Sequence, residues 1–236
     1  MIKIFFFLIF IASCARYPES SFPTKSFVLI DISIKEKDCI SCTEEGVIKS
    51  SGMIISNSKA GGSYILTAGH ACLINVEEDL PYSISIENFE INYRGFSSVN
   101  GSDLVILDIN QQNDFCLLRS REKLGPPLRL ANRPPKHGDR VFNLAAPFGI
   151  YDGNFTLTFE GFFSGVDDFD NALYTIPAKA GSSGSPILNK NNQLVGMIHS
   201  ATIDMENISI STSLQTLRDY LQYQSNINED MLLLIY

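Results

Sequence analysis

From Phe27 onward the chain is a series of short apolar runs, largely alternating with polar positions and separated by turn residues. Positions 26–34 (SFVLIDISI), 50–57 (SSGMIISN), 62–70 (GSYILTAGH), 82–95 (YSISIENFEINYRG), 103–109 (DLVILDI) and 114–120 (DFCLLRS) form a first set. A second set comprises 140–149 (RVFNLAAPFG), 154–165 (NFTLTFEGFFSG), 172–180 (ALYTIPAKA), 185–189 (SPILN), 193–202 (QLVGMIHSAT) and 208–212 (ISIST). β-branched residues dominate and the period is two, so these runs predict strands. Between the sets lies a proline-rich stretch, 123–139. The pattern therefore predicts an all-β chain of two small antiparallel barrels, 27–122 and 140–211, joined by one connector. No repeat relates the halves. Helical spacing occurs once, over 212–224, where Leu214, Leu217, Tyr220 and Leu221 recur behind a Thr212/Ser213 cap. The tail 225–236 ends in an apolar run too short to cross a membrane.

Composition changes this picture little. The 236 residues are 44% hydrophobic and 19% charged, which is globular and not disordered. A formal net charge of −8 without a lysine- or arginine-rich run argues against a nucleic-acid partner.

The first residues carry more information. Met1–Cys14 holds one lysine, an apolar run from Ile4 to Ala12, and small residues before Cys14. That run is too short for a membrane-spanning helix, which needs roughly 20 residues, and it fits a secretory signal over 1–13. Ile11-Ala12-Ser13-Cys14 also resembles the lipobox of bacterial lipoproteins, which implies lipid on Cys14 and attachment to a membrane. The alternative is an ordinary signal whose cysteine is incidental. Either way the expectation is export, to the cell envelope as a lipoprotein or as a secreted or periplasmic protein, with 14–26 as a polar spacer.

Lipidation would leave Cys39, Cys42, Cys72 and Cys116 in an oxidising compartment. Cys39-x-x-Cys42 lacks a second ligand pair, so it predicts a local disulfide or two thiols and no metal site. No cofactor motif occurs.

A serine breaks a peptide bond at neutral pH when a base takes its proton and donors hold the developing oxyanion. The base requires histidine chemistry, with one ring nitrogen fixed by a carboxylate. Gly181-Ser182-Ser183-Gly184-Ser185-Pro186 resembles the nucleophile loop of trypsin-like serine proteases, and Leu66-Thr67-Ala68-Gly69-His70 resembles their histidine segment. The resemblance covers residues 45–222 and is nearest to exported bacterial Deg-type and glutamyl-endopeptidase-like enzymes. It implies two six-stranded antiparallel Greek-key barrels with the active site between them and a C-terminal helix. It implies an exported endopeptidase acting on polypeptides, with Ser183 as nucleophile, His70 as base, and the Gly181 and Ser183 amides as oxyanion hole. For the acid, Asp103, Asp108 and Asp114 compete. Asp114 is preferred because it opens the strand DFCLLR and follows Asp108 by six residues, as in Deg-type enzymes.

By the same resemblance the primary pocket is walled by 176–180 and 196–202, with Ala178, Lys179, His199, Ser200 and Ala201 as substrate-binding residues. The histidine of glutamate-cleaving relatives aligns with Ile198, one position before His199, and a one-residue step turns a strand side chain to the other face. A small or medium apolar residue is therefore the default preference, with glutamate as the alternative. Ser182 stands where pancreatic-type enzymes carry the aspartate that pairs with a new N-terminus, so activation by that pair is not expected. No peptide-binding module is expected after the helix, nor regulation through oligomeric cages. The triad also sets Cys72 and Cys116, each two residues past a triad member, close enough to bridge. Two buried thiols are the alternative. Rival readings keep the fold without catalysis: a peptide-binding protein, or a structural lipoprotein.

Overall fold

The computed structural model describes residues 22–37, 46–73, 89–202, 205 and 207–234. Cys14, Cys39, Cys42, the signal and most of the spacer lie outside the described residues, as does 82–88 of the fourth predicted strand. The strands are β1 (Phe27–Glu36), β2 (Gly46–Asn57), β3 (Ser63–Ala68), β4 (Phe89–Phe96), β5 (Gly101–Asn110) and β6 (Phe115–Ser120). They are followed by β7 (Arg140–Ala145), β8 (Leu157–Val166), β9 (Asn171–Tyr174), β10 (Pro186–Asn189), β11 (Leu194–Ala201) and β12 (Ser209–Thr212). Helix α1 (Leu214–Ile227) ends the series, running three residues beyond the predicted 224.

Two closed antiparallel barrels result, ordered β1-β2-β3-β6-β5-β4 and β10-β11-β12-β9-β8-β7. In the first, β6 returns to pair with β3 (Leu66 opposite Leu117) and β1 closes on β4 (Ile32 opposite Tyr93). In the second, β10 closes on β7 (Leu188 opposite Phe142). Among the described residues, closure leaves no long sheet edge exposed.

Alternation survives where one strand face meets water. On β5, Ser102 and Leu104 point inward while Asp103 and Val105 are exposed. On β3 every position is buried, because both faces are covered. Ile65 packs inside the first barrel with Val28, Ile30, Ile32, Ile54 and Leu118. Tyr64, Leu66 and Ala68 face the other way, into the cluster that contains Leu144, Ile187, Met197 and the helix residues Leu217 and Leu221. Likewise Cys116 and Leu118 of β6 turn inward, while Phe115 and Leu117 face that shared cluster.

The helix locks the barrels. Ser213 caps it by accepting the Thr216 N–H at 3.2 Å. Tyr220 stacks on Phe115 with ring centroids 4.8 Å apart. The tail returns across the first barrel: Met231 bridges to Ser58, and the Leu232 N–H and C=O both bond the Ser56 hydroxyl. The Asp230 carboxylate accepts from Ser58, Tyr64 and Arg119. Between barrels, the proline-rich connector runs from Leu128, whose N–H reaches Ile54 O, to Leu130, which bridges to Leu194.

Candidate active site

Strand β3 ends at Ala68 and passes into a single 3-10 turn, Gly69–Ala71, which presents His70 with half of its side chain exposed. Gly69 is required there by close approach. A Cβ would stand 2.9 Å from Asp114 Oδ1 and 3.0 Å from the Asp114 carbonyl carbon. The Gly69 N–H donates to the Asp114 carbonyl at 2.8 Å, which fastens this turn to the start of β6.

Asp114 itself has φ 54°, in the left-handed region that aspartate tolerates better than most residues. The turn before it is held by Asn110, whose Oδ1 accepts the Asn113 N–H. Its carboxylate grips His70 twice. Oδ1 accepts the backbone N–H at 2.6 Å, and Oδ2 lies 2.7 Å from the ring Nδ1. Burial raises the Asp114 pKa, but the hydrogen bonds from His70 and its charge outweigh that, and the net shift is downward. An ionised carboxylate only accepts, so Nδ1 carries the hydrogen, which in the neutral tautomer leaves Nε2 with its lone pair. The other two acid candidates are engaged elsewhere or exposed. Asp108 Oδ2 accepts from Tyr220 and Gln224 of α1 at 2.9 and 2.8 Å, and Asp103 is exposed on β5.

The serine loop comes from the second barrel, just before β10. Gly181 (φ 90°) and Gly184 (φ 83°) bracket Ser183 in left-handed conformations that glycine adopts freely. At Gly184 space matters more than φ: a Cβ would lie 2.1 Å from Ser51 O and 2.2 Å from Thr67 Oγ1. The loop is therefore pressed against β2 and against the end of β3, three residues before His70. Two serines of β2 clamp it. Ser50 Oγ and the Ser51 N–H both donate to the Ser183 carbonyl at 2.9 Å. Ser51 Oγ donates to the Gly181 carbonyl at 2.7 Å and accepts the Ala146 N–H at 3.0 Å. Thr67 Oγ1 bonds Ser51 O at 2.7 Å. The sequence reading missed these three hydroxyls, and only the SS pair at 50–51 hinted at them. Among the described residues no acceptor takes the Gly181 or Ser183 amide hydrogen. Two donors thus stand free beside the serine.

Ala178, Lys179, Ser183, Ser200 and Ala201 line a cavity of about 320 Å³, together with Ala180, Ser182, Ile198 and Thr202. His199 does not line it, which corrects the sequence reading. Pairing between β11 and β12 slips at this point: Ile198 faces Ser211, Ser200 faces Ile210, and His199 is the extra residue of a bulge. Its ring lies instead behind Asp114, with Nδ1 4.0 Å from Oδ2. Cys72 and Cys116 are bridged, tying the end of the histidine turn to β6. No group of acidic, histidine or cysteine side chains suited to a metal occurs among the described residues.

The profile of the trypsin-like peptidase domain matches residues 50–197. No curated protein matches the chain in sequence. Solved structures do match in fold. A serine endoprotease from Yersinia pestis superposes with TM-score 0.61 at 18% identity, over 85% of this chain and 62% of that one. The chain thus spans just under two thirds of that structure's length. The Rv3671c protease from M. tuberculosis in its active form gives TM-score 0.61 at 18% identity, over 84% and 81% of the two chains. Its inactive form gives 0.58 at 17% identity, over 85% and 89%. The matched segment begins at the serines that clamp the loop, runs through His70, Asp114 and Ser183, and ends on the strand that walls the cavity, so the chain belongs to the trypsin-like peptidase family.

Proposed function

We propose that this chain is an exported serine endopeptidase that hydrolyses polypeptides through an acyl-enzyme on Ser183. One observation carries the reading above all: the two-point grip of Asp114 on His70, at the end of a strand against which the serine loop, with its two unengaged amides, is pressed. As Ser183 Oγ bonds to the scissile carbonyl carbon, its proton passes to His70 Nε2, and Asp114 stabilises the imidazolium. The carbonyl oxygen takes the negative charge and meets the Gly181 and Ser183 N–H groups. Collapse breaks the C–N bond, and Nε2 returns the proton to the leaving amine. Water then repeats the sequence on the ester, restoring the Ser183 hydroxyl. The apolar part of the lining, Ala178, Ala180, Ile198 and Ala201, supports an apolar residue before the scissile bond. A fluorophosphonate probe should label the protein on Ser183. Ser183→Ala should lower peptide-ester turnover by about 10⁴-fold or more without loss of fold. A fully active Ser183→Ala would sink the mechanism.

The N-terminal pattern supports export, with Cys14 as the lipid-bearing residue and a membrane anchor of more than one acyl chain. Cys14→Ser should then release a soluble exported form. A wild type that is soluble and carries no added N-terminal mass would leave Cys14 as part of a discarded signal.

A further inference from the structure

We propose that His199 is a positioning residue of the catalytic acid: it stands on Asp114 Oδ2 beside His70, leaves that oxygen to His70 while neutral, and competes for it once protonated. The proposal rests on the reading of Asp114 as the triad's acid. Its geometry is independent of that reading. The bulge between Ile198 and Ser200 turns the His199 side chain away from the substrate cavity and beneath Asp114. There Nδ1 lies 4.0 Å from Oδ2, beyond a hydrogen bond but within reach of an ion pair. The same oxygen already holds His70 Nδ1 at 2.7 Å. Two imidazoles thus flank one carboxylate oxygen.

Nothing else in the described structure anchors the ring of His199. Its Nε2 is buried without a hydrogen-bond partner, as is Thr212 Oγ1, and both residues line one small cavity of about 100 Å³ with Asp114. Asp170, from the β8–β9 turn, lines that cavity too, but its carboxylate takes the Thr216 hydroxyl. Across Asp114 stands His70, which opposes a second positive charge. A proton on His199 is therefore drawn chiefly to Asp114. Burial pushes the His199 pKa down, Asp114 pulls it up, His70 pushes it down again, and the net direction is downward. The ring is consequently neutral at neutral pH and charges on acidification. Asp114, held below the ordinary carboxylate range, stays ionised while this happens. A charged His199 then pulls Oδ2 away from His70 Nδ1, and the base loses the partner that fixes its tautomer and orientation.

Activity thus requires two neutral histidines, not one, and the acid limb of the rate profile records the difference. The experiment measures kcat/KM for an uncharged peptide ester on the full chain from about pH 4.5 to about pH 8, each enzyme scaled to its own plateau. Wild type should steepen from about tenfold per pH unit toward about a hundredfold, whereas His199→Gln should hold about tenfold throughout. Fluorophosphonate labelling after return to neutral pH counts intact sites and separates titration from acid unfolding. His199→Asn serves if the glutamine variant does not fold. Equal slopes in wild type and variant overturn the proposal. An inactive Asp114→Asn alongside equal slopes removes only the role of His199, whereas a fully active Asp114→Asn removes the triad reading and this inference with it.

Discussion

Replacing Ser51 by alanine tests whether the first barrel sets the geometry of the second barrel's serine loop. Ser51 is fully buried, and its hydroxyl serves two backbone groups of the other barrel, the Gly181 carbonyl at 2.7 Å and the Ala146 N–H at 3.0 Å. Alanine leaves both unpaired in a site with no exposure. Each buried orphan costs about 1–3 kcal/mol, so the pair costs about 3 kcal/mol after local relaxation. For a chain of this size each kcal/mol lowers Tm by about 2–4 °C, which gives a fall of about 6–12 °C. Ser50→Ala is the internal control. It removes the Ser50 bond to the Ser183 carbonyl, yet that carbonyl keeps the Ser51 N–H at 2.9 Å, so the loss should be about 1 kcal/mol. Activity should follow the same order. The Gly181 carbonyl fixes the plane of a peptide next to the oxyanion site, and loosening it should lower kcat about tenfold while KM moves less. Thermal unfolding by circular dichroism and ester turnover per fluorophosphonate-titrated site give the two readouts. Ser51→Ala melting within about 1 °C of wild type, or Ser50→Ala proving the more damaging, would refute the clamp.

Three further outcomes are expected. Removing the Cys72–Cys116 bridge opens a loop of 44 residues and should cost about 4 kcal/mol by chain entropy, less any strain the bridge carries; paired serine variants melting like wild type would contradict this. Gly184→Ala should abolish fluorophosphonate labelling, because its Cβ meets Ser51 O at 2.1 Å and φ is 83°; a labelled variant would show that the loop can retreat from β2. The Asp230 carboxyl is held below its ordinary range, first by the Ser58 hydroxyl and then by that of Tyr64. Its hold on the tail is therefore complete above the unfolded carboxylate's pKa of about 4 and is lost as pH falls through the lower folded value. Amide exchange over 228–234 should accelerate in that acid window in wild type and lose this step in Asp230→Asn; identical profiles would remove the role.

The features that were legible in the sequence are those fixed by local rules. Alternation on β5 marks inside and outside because neighbouring side chains of a strand point to opposite faces. Ser213 announces α1 because its side chain caps an amide three residues on. His70 and Ser183 were singled out because 66–70 and 181–186 resemble the family's segments, and each segment's glycine meets a local demand for space or φ. Asp114 was preferred to Asp103 and Asp108 on its resemblance to the Deg-type spacing, and its grip on His70 is visible only in the fold. The clamp of Ser50, Ser51 and Thr67 was not. The Ser51 hydroxyl is 130 residues from the Gly181 carbonyl it serves, and a buried serine in a strand looks alike whether its partner is near or far. Asp230 escaped notice for the same reason, since Tyr64 and Arg119 reach it only after the tail has crossed the first barrel. The displaced His199 marks the boundary between the two kinds of knowledge. Strand periodicity places its side chain opposite that of Ile198, but a bulge in the pairing with β12 decides what it meets, and that pairing exists only once the second barrel has closed.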